Sequence, residues 1–288
     1  MSNNIPLAVM FMMLSVATYA IQDVIVKLLP PEITVIQICF FRAVFSFIPI
    51  GIMCMFEKER RFFRTASPGL HFWRALASTL SLLCFVGAFR LIPLTDAYAI
   101  TFSCPLFMTL MAIPMLKEKV SLQRWTAVVL GFVGVLIVMR PGHTAVQFGG
   151  IVALFGGFFY AISLVLVRRL SDRDNNSMIV LTFNCMSIIV CAVLLPFNWV
   201  PLDLALLPKF AVIGILGGSA QYAMTHAIRT APVSAIAPFD YVALIWGTVF
   251  GYAIWHDIPD VYVIFGSILI VGAGIYIIRH EKKLLFAS

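Results

Sequence analysis

The 288-residue chain is 61% hydrophobic and only 11% charged, whereas a soluble domain carries roughly a quarter charged residues. That composition excludes a water-soluble fold, and helices of about 20 apolar residues each would nearly use up the length, leaving no room for a soluble catalytic domain. The formal charge of +7 would suit nucleic acid or an anionic membrane surface, so the placement of the basic residues has to decide.

Apolar runs bounded by charge, Pro and Gly predict an all-α integral membrane protein with ten spans. They lie near 7–29, 33–56, 70–91, 95–116, 121–140, 147–168, 177–197, 206–228, 232–255 and 260–279. The N-terminal segment MSNNIPLAVMFMMLSVATYAIQDV has no basic n-region and its apolar stretch runs on through Leu29, so it is expected to stay as the first span. No lipidation signal is read. Between the third and fourth spans Arg90, Pro93 and Asp96 crowd into a very short turn.

With the N-terminus placed in the cytoplasm, fourteen of the 20 Lys and Arg fall in inner loops and four outside, at Lys27, Arg90, Arg140 and Lys209. Arg42 and Arg74 lie within spans. This positive-inside bias predicts a bacterial inner-membrane protein with both termini cytoplasmic, and it accounts for the basic charge without a nucleic-acid partner. The six cysteines, Cys39, Cys54, Cys84, Cys104, Cys185 and Cys191, sit in apolar runs without a CxxC pair. They read as packing residues, and neither a metal site nor a cofactor is expected.

Displacing the chain on itself by 139 positions brings Arg90 onto Arg229, Pro93 onto Pro232, Glu118 onto Asp257 and Arg140 onto Arg279. The match predicts two five-helix repeats, 1–145 and 146–288. Five is odd, so the second enters the membrane with reversed polarity. Transporters use such inverted repeats to open alternately to either side, with the substrate near the midplane. A duplication that only stabilised a bundle would leave the same trace.

Four charged side chains inside spans need a partner or a water-filled cavity, because each costs roughly 2.5–3.5 kcal/mol at a helix centre. Arg42, in CFFRAVF, offers a planar fork for a substrate carboxylate or phosphate, or pairs with Asp23 or Asp240. Arg74, about a turn into its span, is expected to snorkel to the headgroups. Asp23 precedes Lys27 by four residues and is expected to pair with it, although Tyr19 shares its face and Gln22 precedes it, leaving a cavity-mouth or coupling role open. Asp240 follows Pro238, which removes a backbone hydrogen bond. A carboxylate at such a break suits an amine or a coupling proton, with a salt bridge to Arg42 as the alternative.

Neutral groups that would complete a substrate site are Tyr98, Thr101, Ser103, Tyr160, Ser163, Asn184, Gln221, Tyr222, His226, Tyr241 and Trp246. The aromatic ones would stack on a planar or cationic ligand. Interface belts and helix packing are the ordinary roles of such residues. Gly156, Gly157, Gly217 and Gly218 are expected to let helices approach closely.

The segments FFRAVFS, LHFWRALAS, LIPLTDAYAITFSCPLFMTLMAIPMLKEKVSLQRWTAVVLGFVGVLIV and APVSAIAPFDYVALIWGTVFGYAIWHDIPDVYVIFGSILIVGAGIYII resemble the EamA-type family of the drug/metabolite transporter superfamily. The likeness covers essentially the whole chain. It implies a ten-helix inverted-repeat transporter with a central cavity between the halves, the fifth and tenth helices lying more peripherally. Family members carry amino acids, nucleotide-like metabolites, vitamins or toxic organic cations, and this chain looks most like bacterial carriers that take up S-adenosylmethionine or riboflavin. It departs from the family pattern at Asp240, and at Asp257, where Glu is commoner.

No enzyme constellation is read: HExxH, GxSxG and phosphate-cradling loops are absent from the sequence. No selectivity filter or nucleotide-binding motif is read either. The expectation is therefore a secondary transporter of a small organic metabolite, embedded in lipid and compatible with a homodimer. Its predicted substrate-binding residues are Arg42, Tyr98, Tyr160, Gln221, Tyr222, Asp240, Tyr241 and Trp246, with Asp240 and Asp23 as candidates for coupling. An exporter of amino acids or toxic cations, or a non-transporting structural or receptor-like protein, is the alternative.

Overall fold

The structure, a computed structural model, describes residues 4–56, 67–104, 106–108, 110–111, 122–139, 144–170, 176–231, 236 and 239–285. The helices that organise them are α1 (Ile5–Lys27), α2 (Val35–Phe56), α3 (Pro68–Leu91), α4 (Leu94–Thr101), α5 (Leu122–Met139), α6 (Thr144–Leu170), α7 (Asn176–Leu194), α8 (Leu207–Thr230), α9 (Val242–Phe250) and α10 (Val261–Leu285). No strand occurs among the described residues. Six of these regions form helices long and apolar enough to cross a membrane, namely α1, α2, α3, α6, α7 and α8. Shorter apolar helices cover Trp125–Met139, Val242–Trp255 and Val261–Tyr276.

Local chemistry sets several helix starts. The Asn4 side chain accepts a hydrogen bond from the Leu7 amide at the head of α1, where Pro6 follows, and Pro68 opens α3, positions at which a missing or capped N–H costs nothing. Asp203 caps a short 3₁₀ turn, Leu204–Leu206, that leads into α8. A π-helical turn, Gly251–Trp255, extends α9 and closes on His256 in the left-handed conformation at φ 58°.

Two predicted spans are not single continuous helices. The helix predicted over 95–116 is broken after Thr101 by a turn at Phe102 and Ser103, with helical residues resuming at Cys104. Before α9, a turn runs through Phe239, Asp240 and Tyr241. Pro238, Glu118 and Pro232 lie outside the described residues, as does Arg140.

Helix bounds repeat at the interval seen in the sequence. Ile5 and Thr144 open α1 and α6, Pro68 and Leu207 open α3 and α8, and Leu122 and Val261 open α5 and α10. Each pair is 139 positions apart, and so are Leu91 and Thr230, the last residues of α3 and α8.

In a bilayer the lipid is as apolar as leucine, so helices are held by close packing and hydrogen bonds rather than by expulsion from water. Small residues serve that packing. A Cβ at Gly214 would sit 2.8 Å from the Arg42 carbonyl oxygen, and one at Gly218 would sit 2.8 Å from Pro49 Cγ; α8 thus lies directly on α2 through a Gly-x-x-x-Gly face. At the other side of the molecule α5 and α10 approach through Gly134 and Gly266, where a Cβ on the first would lie 2.8 Å from the carbonyl oxygen of the second. Exposed Val129, Val133 and Leu136 on α5, and Ile264, Phe265 and Ile268 on α10, give that pair an apolar outer face.

The short α4 is the interior element. Every residue from Leu94 to Ile100 is buried, and Ala97, Ala99 and Ile100 pack in one cluster with Phe89 and Ile92 of the α3 end, Val135 and Val138 of α5, Ala153 of α6 and Ile270 of α10. Its C-terminal break therefore lies deep in the bundle.

Candidate functional site

The helices surround a cavity of about 180 Å³. Its walls come from α1, α2, α3, α4, α6, α7 and α8, together with Asp240 and Ala243 at the start of α9. On α3 the lining residues Arg74, Ser78, Ser81, Leu82, Phe85 and Phe89 recur at three- and four-residue intervals, the spacing of one helical face. The fifteen steps from Arg74 to Phe89 make the cavity wall roughly 22 Å long at a rise of 1.5 Å per residue.

Near one end a chain of hydrogen bonds links α2, α1 and α4. Arg42 Nε donates to Gln22 Oε1 at 2.9 Å, Gln22 Nε2 donates to Asp23 Oδ1 at 2.9 Å, and Tyr98 Oη donates to Asp23 Oδ2 at 2.7 Å. Gln22, Asp23, Arg42 and Tyr98 are all buried. Gln22 passes the interaction on because its amide carries both an acceptor and a donor. Both Asp23 oxygens thus accept hydrogen bonds, which is how a buried carboxylate is tolerated. Gly217 makes room for this chain, since a Cβ there would lie 2.8 Å from Arg42 Nε and collide with the Gln22 side-chain oxygen. Beside it, Tyr19 Oη donates to Gln221 Oε1 at 2.6 Å and so ties α1 to α8.

The pairing expected between Asp23 and Lys27 is not formed. Lys27 Nζ instead donates to the Ile92 carbonyl at 2.8 Å and sits 5.1 Å from the centre of the Trp255 ring. Asp23 turns inward because Tyr98, from the buried α4, and Gln22 meet it there. Nor does Arg42 form an ion pair with Asp23 or Asp240 among the described residues.

Arg74 also departs from expectation. Its side chain is 1% exposed and faces the cavity rather than reaching for headgroups. Nε has no hydrogen-bond partner, and no ion pair holds the guanidinium among the described residues. The next turn of α3 places Ser78 beneath it, with Ser78 Oγ 2.6 Å from Ser163 Oγ of α6.

Asp240 lines the cavity in the turn before α9. Its backbone carbonyl accepts from the Ala243 amide at 3.0 Å, while its carboxylate makes no hydrogen bond or ion pair among the described residues. Thr101, its counterpart 139 positions earlier, lines the same cavity, and its hydroxyl is buried without a partner. Tyr160 Oη donates to Met224 Sδ at 3.2 Å across the cavity wall.

Of the predicted substrate-binding residues, Arg42, Tyr98, Tyr160, Gln221 and Asp240 meet at this cavity. Tyr222, Tyr241 and Trp246 do not line it. Tyr222 stacks on His226, Tyr241 packs edge-on against Phe102, and Trp246 stacks on Phe250. Among the neutral candidates, Thr101 and Ser163 line the cavity. Asn184 accepts a hydrogen bond from Ser46 between α7 and α2 instead, and donates to the Val180 carbonyl. The hydroxyl of Ser103 is buried without a partner. Sequence reading missed Ser78, Ser81 and the inward aim of Arg74, although their common face on α3 was visible as spacing. Among the described residues no His, Cys, Asp or Glu cluster could hold a metal ion, and Cys39, Cys84, Cys104, Cys185 and Cys191 are free thiols.

A helical membrane protein with a largely apolar cavity that also presents charged side chains, walled by most of its long helices, has the form of a solute carrier rather than of an enzyme. The chain belongs to the EamA-like transporter family, whose sequence profile matches residues 6–140 and again 147–279. It is 25% identical to an S-adenosylmethionine uptake transporter of Rickettsia prowazekii, over 94% of this chain and 92% of that one. It is equally 25% identical to a pseudopaline exporter of Pseudomonas aeruginosa, over 95% and 96% of the two chains. A riboflavin transporter of Rhizobium johnstonii is 25% identical over 76% of this chain and 73% of its own.

Proposed function

We propose that this protein is a secondary carrier that moves a small organic metabolite across the bacterial inner membrane by alternating access. Ten spans form two inverted halves, 1–145 and 146–288, with both termini in the cytoplasm. The observation that carries the reading is the cavity itself: residues from Val16 to Phe102 and from Tyr160 to Ala243 line it together, so a solute held there touches both halves and is released when they rock.

Arg42, Tyr98, Tyr160, Gln221 and Asp240 bind the solute, and Asp240 is the coupling residue. Its carboxylate is half-buried on the cavity wall and has no ion-pair partner among the described residues, a state that membrane proteins retain at ion and substrate pathways. Tyr222, Tyr241 and Trp246 act from behind this layer by packing. S-adenosylmethionine, riboflavin and amino-acid-like compounds are the preferred substrates. All three relatives named above carry small metabolites by their names, and the aromatic wall of Phe85, Phe89, Phe102 and Tyr160 suits a planar ring.

Purified protein in liposomes tests this reading. Saturable uptake of one labelled compound among S-adenosylmethionine, riboflavin and aromatic amino acids, driven by a proton gradient in wild type and not in Asp240→Asn, is the expected result. No flux of any compound, in either direction and with or without a gradient, would remove the carrier reading. The likeness to an exporter favours a second reading on direction alone, which loading the compound inside the liposomes and following efflux decides.

A further inference from the structure

Arg74 is the charged group for which the hydrogen-bonded chain around Asp23 leaves no use. A guanidinium taken out of water without a counter-ion carries a desolvation penalty that packing alone does not offset. Arg42, the other arginine on the cavity, has its Nε engaged by Gln22. Arg74 has neither a hydrogen bond at Nε nor an ion pair among the described residues, and its residue is 1% exposed while lining the cavity. The two acids on the cavity do not relieve it: Asp23 is engaged by Tyr98 and Gln22, and neither acid forms an ion pair with Arg74 among the described residues.

We propose that Arg74, with the hydroxyls of Ser78 and Ser163 beside it, is an anion subsite that takes the carboxylate of the carried solute. The carboxylate matches the planar fork of donors on Arg. A single guanidinium balances one negative charge, whereas a phosphate dianion would leave a second charge uncompensated in the bilayer interior. The Ser78–Ser163 pair has one proton free of its mutual bond, because each hydroxyl can both donate and accept. Asp240 lies on the same cavity, so among the compounds proposed above the subsite favours the zwitterionic ones over riboflavin: a carboxylate at Arg74 and a cationic group toward Asp240, with an apolar or aromatic body along the Phe85 and Phe89 wall. This inference rests on the carrier reading for its biological meaning and on the cavity alone for its chemistry.

The test uses equilibrium binding, which requires no flux. Thermal unfolding of the purified full chain in detergent is followed with millimolar phenylacetate, with phenylacetamide as its uncharged counterpart, and with phenyl phosphate, because a ligand that binds only the folded state raises the melting temperature with its concentration. Phenylacetate should raise it and phenylacetamide should not. Arg74→Gln should abolish the difference, Arg74→Lys should keep a smaller one, and Lys209→Gln, at an exposed lysine that does not line the cavity, should keep it in full. Equal effects of phenylacetate and phenylacetamide in wild type would overturn the subsite. So would a phenylacetate effect that survives Arg74→Gln, or a larger effect of phenyl phosphate. Carboxylate binding at Arg74 in a protein that shows no flux would sink the carrier reading while leaving the subsite standing, and flux without such binding would do the reverse.

Discussion

Phe102 and Tyr241 meet edge to face, with ring centres 4.9 Å apart and planes at 61°, and they stand 139 positions apart in the chain, the same interval that separates the starts of α3 and α8. In the proposed repeat each is the counterpart of the other, and two counterparts can touch only where the axis relating the halves passes between them. Both follow a cavity-lining polar residue, Thr101 and Asp240; Phe102 sits in the turn after α4 and Tyr241 in the turn before α9. In the proposed carrier these two turns thus abut where the halves would move against each other. Aromatic pairs in this geometry contribute about 0.5–1.5 kcal/mol beyond buried area. Phe102→Ala and Tyr241→Ala should each destabilise the protein, with a coupling energy of that size in a double-mutant cycle followed by unfolding in detergent. Tyr241→Phe should cost nothing, since the hydroxyl it removes is buried without a partner. A coupling indistinguishable from zero would show that the contact has no energetic weight.

The Asp23 chain predicts a graded response. Tyr98→Phe removes one charge-assisted donor and leaves the carboxylate buried, so it should lower stability by roughly 1.5–3 kcal/mol. Asp23→Asn keeps the shape and removes the charge, and should be milder than Tyr98→Phe if the carboxylate is ionised in the folded protein. Unfolding midpoints of the two variants, compared at the same pH, decide the order.

Gly217 predicts a steric effect that can be separated from electrostatics. A methyl group there meets Arg42 Nε at 2.8 Å and the Gln22 oxygen, both fixed by hydrogen bonds, so Gly217→Ala should cost about 1–3 kcal/mol through overpacking. Gly51→Ala is the control, because a Cβ at Gly51 meets nothing within 4 Å. Equal melting temperatures for the two variants would show that the cavity wall adapts more freely than its hydrogen bonds imply.

What the sequence made legible was periodic. Apolar runs located α1, α2, α3, α6, α7 and α8 to within a few residues, because a helix in lipid must satisfy its own backbone and shows an unbroken apolar stretch. The break after Thr101 had a signal that the sequence reading used at Pro238 but not here: Pro105 lacks the amide that would bond the Thr101 carbonyl four residues back. Side-chain direction failed for another reason. Asp23 and Lys27 share a helical face on paper, yet a buried tyrosine from another helix outbids the local lysine, and tertiary partners are invisible to spacing. Arg74 was read as snorkelling from its distance to the span end, but the serines one and two turns further along the same face already pointed to a polar wall.

An unpaired buried cation carries a stability prediction opposite to that of most core changes. Arg74→Met keeps much of the volume and removes a charge with no partner among the described residues, so it should raise stability by about 1 kcal/mol or more in the absence of ligand. The same change should abolish the response to carboxylate. Loss of stability in Arg74→Met would mean that the guanidinium is held by interactions the folded state needs.

Arg42 and Asp240 supply the last test, because a salt bridge between them would make each depend on the other. They form no ion pair among the described residues, and Arg42 is bound to Gln22 instead. Neutralising both should therefore be no better than neutralising either: Arg42→Gln combined with Asp240→Asn should add the separate losses in folding yield within about 0.5 kcal/mol and should restore no flux. The expected pattern assigns Asp240 to the solute and the gradient, and gives Arg42, besides its place on the cavity, an independent part in the chain that anchors α2 on α1. Recovery of folding or transport in the double variant would show instead that the two residues pair in another state of the carrier, one in which the halves have rocked and brought the two charges within reach.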